Sequence, residues 1–514
     1  MTAVEDEAGS AFPSSSRVRE ASPLHGLARR TLGFYEVWAQ SVAAAAPSAA
    51  AASVPVMVFV AAGQASLWSV GLAIVLSLLI ASTIGQFARR MAGAGSLYTF
   101  VARSLGGHGA AFAGTMLCAG YSFVAMFTLG QSGVYLSETL GVFDPALAMP
   151  PIAVAIVVAL MGSVCYLILS RGIRISTRMS LLIEALSIAV VVLLSLVVLT
   201  HVPIQRWSVV VVPHTGIGGI AAGSVAAMTA FVGFESSVSL GAETRHRFAV
   251  IPRAVKRTVP LVGCVLLLSS FVQVVGFGSA GINPDDGASP INALASAFHA
   301  PAIGLVLDVT TAASFLACAI ASTTALVRVL LSMSREGLLP ASLGRTHPRF
   351  HTPHRAIAFV MPAIAGVPIV FACFGRQSWQ GMNPLMVCSV VGYMLAYLIV
   401  AVSAPIFLHR LGETTARSLV IAGVTAILVA LSVICYVFTQ LGADGGLGVA
   451  LLIVLAIAGL SWYRHRLRRD PGLAGRLGMY DETIAADLLE NASADENRSR
   501  SLRGAFRTDE DESR

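Results

Sequence analysis

The chain has 514 residues, 56% of them hydrophobic and only 12% charged, with a mean hydropathy of +0.77 and a formal net charge of +7. One water-soluble core cannot bury that much apolar surface, and the apolar runs recur at membrane-spanning length. The composition therefore excludes a soluble globular enzyme and points to an all-α polytopic membrane protein.

Residues 1–33 are polar, Ser-rich and charged, lack the short apolar region of a secretory signal, and read as a disordered cytoplasmic tail. About twelve spans follow, near 36–62, 67–88, 109–137, 150–170, 179–200, 217–241, 255–279, 302–327, 355–374, 382–408, 418–440 and 446–463. Cytoplasmic loops should carry the Lys and Arg. With both termini inside, 32 of the 34 basic residues fall in inside segments, and only Arg206 and Arg376 fall outside. One missed or invented span would invert that pattern downstream of it. The positive charge is therefore a topology signal and not a nucleic-acid-binding one. Residues 466–514 mix both signs and read as a second disordered cytoplasmic tail, which leaves a transmembrane domain over 34–465 in the cell membrane. The seven cysteines lie in apolar runs, form no CxxC and read as small packing residues.

Span one contains QSVAAAAPSAAAASVP at residues 40–55. Pro47 removes a backbone donor there, and Ala44, Ala45, Ala46 and Ser48 leave the main chain bare. Span six contains FVGFESS at residues 231–237, with Gly233 as its weak point and Glu235 beside it. A carboxylate in hydrocarbon is costly, so it is a functional hypothesis by default. On a continuous helix Glu235 would lie about 25 Å from the outer end, past the midplane. No basic residue follows on its own span before Arg245, so a charged Glu235 needs backbone donors, hydroxyls from another span, or water. Two interrupted helices five spans apart are the arrangement of inverted-repeat transporters, in which the amides of one break face an anion and exposed carbonyls face a cation. A zwitterion fits such a site. Phe231 and Phe234 flank the second break and read either as pocket lining or as ordinary packing.

The other acidic residues have plainer readings. Glu36 is expected at the interface near Arg29 and Arg30, Glu184 near the surface paired with Arg178, and Asp308 as an interfacial or packing carboxylate. In span eight, Ser322, Thr323 and Thr324 offer hydroxyls that could ligate sodium or simply bond back to the preceding turn. The histidines lie mostly in loops and no HExxH appears, so no metal site and no cofactor are expected.

Three segments carry a family resemblance: FVGFESSVSLGAET at 231–244 with IPRA at 251–254, RRMAGAGSLYTFVARSLG at 89–106, and SREGLLPASLGRTHPRFHTPHRA at 334–356. Together they resemble the amino acid–polyamine–organocation (APC) superfamily of permeases, of amino acid permease type. The resemblance implies a LeuT-like fold of two inverted five-helix repeats, about 34–200 and 217–408, plus two extra helices at about 418–463. It implies secondary active transport by alternating access and no enzymatic activity. The substrate would be held by Ala44, Ala45, Ala46, Pro47, Ser48, Phe231, Gly233, Phe234 and Glu235, with proton or sodium coupling through Ser322, Thr323 and Glu235. Two departures stand out. The glycine-containing break usual in span one is replaced by alanines and Pro47. The span-five lysine of some proton-coupled members is also absent, since the one lysine is Lys256 in a loop. Neutral or weakly polar amino acids are the expected small-molecule substrates, because only Glu235 is placed near the centre. A polyamine or other organic-amine transporter or antiporter, or a non-transporting nutrient sensor, is the alternative. The expected surroundings are the lipid bilayer, with no nucleic acid; the oligomeric state is left open.

Overall fold

With no water in the hydrocarbon to satisfy backbone groups, each long apolar run has to close its hydrogen bonds within itself, and it does so as helix. A computed structural model of the protein describes residues 26–478, except 92, 144–149, 206, 208–215, 282–289 and 443–444, and excepting also the side chains at 173–176 and 290. Residues 1–25 and 479–514 of the expected tails, together with Arg206, lie outside the described residues. Among those described, 11 helical stretches are long and apolar enough to cross a membrane. The first, Phe34–Ala88, is 55 residues long and supplies both spans one and two. It comprises α1 (Phe34–Ala45), α2 (Pro47–Ala62), a 3-10 turn at Gly63–Ala65 and α3 (Ser66–Ala88).

The remaining helices are α4 (Leu97–Gly141), α5 (Pro151–Arg171), α6 (Ile173–His201), α7 (Ile217–Met228), α8 (Arg247–Ala280), α9 (Pro290–Ala297), α10 (Pro301–Arg335), α11 (His354–Cys373), α12 (Asn383–Arg410), α13 (Ala416–Leu441), α14 (Gly445–Arg469) and α15 (Leu473–Arg476). Gly106, at φ 74° and ψ −164°, divides α4 into a short leading segment and span three. Four of the five spans of the first half pack on the one five places later, α2 on α7, α3 on α8, α4 on α10 and α5 on α11, while α6 of span five packs on α10 and α1. Two five-span repeats thus interleave around a shared core. α13 and α14 lie on its periphery: only 17% of their apolar windows is buried, against 78% for α12.

Three expectations are corrected here. Residues 26–33 are ordered, with Leu27 and Leu32 buried and Leu32 bridged to Thr244. At the other end α14 continues to Arg469, and Leu473 and Leu477 are buried, so the expected tail does not begin at 466. Span six is interrupted, as Gly233 leads one to expect, and it is the depth counted along it that changes. α7 gives way to a 3-10 turn at Thr229–Phe231, then an extended Val232 (ψ 139°), then a second 3-10 turn at Ser236–Leu240. The depth of Glu235 therefore cannot be counted at one α-helical rise per residue.

Candidate functional site

The first break follows from the missing N–H of Pro47, which cannot continue the ladder of α1 but suits the first position of α2. Between the two helices Ala46 adopts φ 45° and ψ 62°, a left-handed conformation that costs a non-glycine residue about 1–2 kcal/mol. At the second break Gly233 has φ 90°, and a Cβ placed on it would lie 2.9 Å from the Ala44 carbonyl oxygen. Glycine is required there by backbone conformation and by close approach together. The two breaks abut.

Glu235 lies beside this junction and is fully buried. Its Oε1 accepts from the Tyr121 hydroxyl of α4 at 3.0 Å, and its Oε2 accepts from the Tyr397 hydroxyl of α12. The Gly233 amide donates to the same Tyr397 oxygen at 3.3 Å, so one tyrosine joins the backbone of the break to the carboxylate. Further bonds tie span six to α1: Ser236 Oγ donates to the Gln40 carbonyl at 3.1 Å, and Ser41 Oγ donates to Ser237 Oγ at 2.7 Å. Together these bonds clamp span six to α4 and α12. Tyr121 and Tyr397 were not singled out from sequence. The available signal was a phenol inside an apolar helix, which needs a polar partner when buried.

A small cavity of about 40 Å³ borders the first break. Its walls include Ala44, Ala45 and Ala46, Ala230 from span six, and the rings of Phe127, Phe315 and Trp379. Phe127 and Trp379 meet edge to face at 4.8 Å. Pro47, Ser48, Phe231, Gly233, Phe234 and Glu235 do not line it, and Phe231 and Phe234 are fully buried. Phe234 packs instead toward Tyr397, with ring centroids 5.8 Å apart. The three cavity aromatics escaped sequence reading because each sits in a different element.

Glu184 is not at the surface. It is 1% exposed and accepts from Ser48 Oγ at 2.9 Å and from Ser314 Oγ of α10. Arg178, its expected partner, bonds Glu36 at 3.0 Å instead. Glu36 in turn caps the Gly33 amide at 3.1 Å, so neither Arg29 nor Arg30 is the partner these bonds give it. Asp308 is buried, as its packing reading has it, and accepts from Asn292 Nδ2 at 2.7 Å. Ser322 and Thr323 are both buried on α10. Thr323 Oγ1 donates to the Ala319 carbonyl at 2.7 Å, the back-bond, and Ser322 Oγ stands 3.9 Å from Cys318 Sγ. The Gln40 side-chain amide donates to the nearby Ala321 carbonyl at 2.8 Å.

One ion pair was hidden by the span boundaries. Sequence reading ended span eight at 327 and span six at 241, which left Arg328 and Glu243 in loops. In fact α10 runs on to Arg335, and both side chains are buried. Arg328 Nε meets Glu243 Oε2 at 2.6 Å and its Nη2 meets Oε1 at 3.1 Å, while Nη1 donates to the Thr324 carbonyl at 2.9 Å. The Glu243 carbonyl accepts from the Thr31 and Leu32 amides at 2.8 and 2.9 Å. The end of span six, the start of span one and α10 are thus fastened together.

Interleaved five-span repeats and two abutting helix breaks define the class by fold: a LeuT-like polytopic membrane protein. The sequence profile of the family described as amino acid permease matches residues 39–464, and the chain belongs to that family. It is 27% identical over 307 residues to the branched-chain amino acid permease BcaP of Bacillus subtilis, covering 56% of this chain and 64% of the relative. To the mouse cationic amino acid transporter 4 it is 24% identical over 367 residues, covering 66% of this chain and 54% of that one. The matched stretches thus span between about half and two thirds of these relatives' lengths. Among solved structures, MhsT in complex with L-phenylalanine superposes with a TM-score of 0.55 at 15% identity, covering 79% of this chain and 99% of MhsT. That likeness is one of fold.

Proposed function

We propose that the protein is a secondary active transporter that carries amino acids across the cell membrane by alternating access, and that Glu235 is its coupling group. The observation that carries this reading is a carboxylate buried where the two breaks meet and held by one tyrosine from each repeat. Protonation of Glu235 would weaken its hold on Tyr121 and Tyr397 and release span six from α4 and α12. The cavity beside the breaks serves as the substrate site, and its aromatic walls suit apolar side chains. Sodium coupling through Ser322 and Thr323 is the second reading. The back-bonded Thr323 hydroxyl keeps its oxygen lone pairs for a cation, and the Ala321 carbonyl keeps one beside the bond from Gln40.

Uptake of labelled leucine and phenylalanine into proteoliposomes tests this. An imposed inward proton gradient should drive accumulation, and a sodium gradient alone should not. Sodium-driven uptake abolished by Ser322→Ala with Thr323→Val would transfer coupling to the second reading, and no uptake at all would leave a sensor.

The charge pattern supports a cytoplasmic position for both termini. Arg328 now leaves that tally as a buried, paired residue, without disturbing the asymmetry of the rest. Single cysteines at 246 and 347 should resist a membrane-impermeant reagent on intact cells, whereas ones at 285, 376 and 444 should react. Positions 285 and 444 lie outside the described residues. The reverse labelling would overturn the orientation.

A further inference from the structure

Two of the segments that carry the family resemblance, 89–106 and 334–356, line no part of the cavity, yet they meet each other. Tyr98, in the first turn of α4, is fully buried and its hydroxyl donates to Oε2 of Glu336, the residue that follows α10. Beside it are three buried hydroxyls that have no hydrogen-bond partner among the described residues: Ser96 Oγ, Thr99 Oγ1 and, from α10, Ser332 Oγ. Gly95 gathers them. A Cβ on it would run into Thr99 Oγ1, lie 3.0 Å from the Tyr98 ring and stop 3.4 Å from Ser332 Cβ, while its φ is not in the left-handed region. Glycine is kept there for space and not for conformation, and hydroxyls wall that space. Buried hydroxyls are nearly always partnered, and several orphans around one polar space are the setting in which an internal water is held.

The space extends toward Glu235. Ser96 Oγ turns to the Tyr121 hydroxyl without a hydrogen bond to it, and Tyr121 is the group that donates to Glu235. The Tyr98 ring packs on Gly114, which precedes Tyr121 on α4 by about two turns, roughly 10 Å. That is the side of Tyr121 away from the cavity, whose α4 walls are Val124, Phe127 and Thr128. At the far end Glu336 stands between the half-buried Arg335 and Gly337, at the surface of the loop that the charge pattern places in the cytoplasm. Cys118 of α4 and Tyr463 of α14 also stand near Tyr98, but a thiol and a phenol accept protons poorly.

We propose that this space is a water-holding chamber that passes the proton of Glu235 to the cytoplasmic side, with Ser96, Thr99 and Ser332 as its water ligands and Glu336 as its outlet. With Glu235 protonated, the carboxyl O–H donates to the Tyr121 oxygen and the phenol O–H turns to the water at Ser96. As the phenol proton passes to that water, the carboxyl proton takes its place on Tyr121. Glu235 is left ionised, the phenol stays neutral, and the excess proton leaves through the chamber toward Glu336. This inference rests on Glu235 being the proton-coupling group and adds the route by which its proton departs.

The test separates exchange from net uptake in proteoliposomes. Counterflow of labelled against unlabelled leucine at equal pH needs no proton to leave Glu235, whereas accumulation driven by an inward proton gradient needs one released in every cycle. Thr99→Val with Ser332→Ala removes two chamber hydroxyls and breaks no side-chain hydrogen bond of the described protein. Accumulation in this double variant should fall at least about tenfold while counterflow stays within about twofold of wild type. Undiminished accumulation overturns the inference and leaves the coupling role of Glu235 intact. Equal losses of accumulation and counterflow overturn it as well, since the hydroxyls then serve the fold or the substrate step. Should the double variant fail to insert, Ser332→Ala alone decides by the same two rates. Wild-type protein that counterflows leucine but does not follow the proton gradient overturns the coupling role of Glu235 and this inference together.

Discussion

Replacing Glu235 with glutamine should leave a folded, membrane-inserted protein whose transport no longer follows pH as wild type does. Glutamine keeps the shape of the side chain and an oxygen able to accept from Tyr121 or Tyr397, but it cannot gain or lose a proton. The tyrosine clamp then has one setting in place of two. Glu235→Ala removes both acceptors, leaves two buried phenols without their partner, and should abolish uptake while also lowering stability by about 1–3 kcal/mol. Tyr397→Phe is the intermediate case. It frees both the Gly233 amide and one carboxylate oxygen and should impair transport more than Tyr121→Phe, which removes a single bond. The measurement is initial uptake rate against pH in proteoliposomes for all four variants. A glutamine variant with the wild-type rate and pH profile would leave Glu235 as a structural tie between span six and its neighbours.

The largest loss of stability should come from Arg328→Ala. Glu243 would remain buried with its cation gone, and breaking one side of a buried, bidentate pair costs about 3–5 kcal/mol. Replacing both partners by uncharged residues of similar size, as in Arg328→Met with Glu243→Gln, should recover most of that loss. What the double variant would not recover is the tie between the end of span six and α10. Leakier gating, seen as faster efflux of preloaded substrate, is therefore expected even where the melting temperature returns. Thermal unfolding of the purified protein checks the first part. An Arg328→Ala variant that melts like wild type would show that the pair contributes nothing net.

The outcome at individual residues separates what is local from what is not. The breaks at Pro47 and Gly233 were legible because their causes are local: a proline has no amide to donate, and a glycine alone adopts φ 90° against a neighbouring carbonyl at no steric cost. The spans were legible for the same kind of reason, since a lipid environment obliges each segment to satisfy its own backbone. The burial of Arg328 and Glu243 was misread because a boundary placed by hydropathy stops at a charge, and only the partner reveals that the charge has been neutralised. Glu184 was misread likewise. Arg178, close by in sequence, seemed its natural mate, but the helix directs the two side chains to different neighbours.

By itself, then, the sequence determined the membrane class, the run of spans, the two weak points and the presence of a carboxylate beside one of them, all of which depend on short-range chemistry. Only the tertiary structure decided that the carboxylate of Glu235 answers to Tyr121 and Tyr397, 114 and 162 residues away, and that Glu184 reaches Ser48 and Ser314 across 136 and 130. Hydrogen-bond partners at such separations are chosen by which helix faces meet in the packed bundle, and no local pattern of residues encodes that choice.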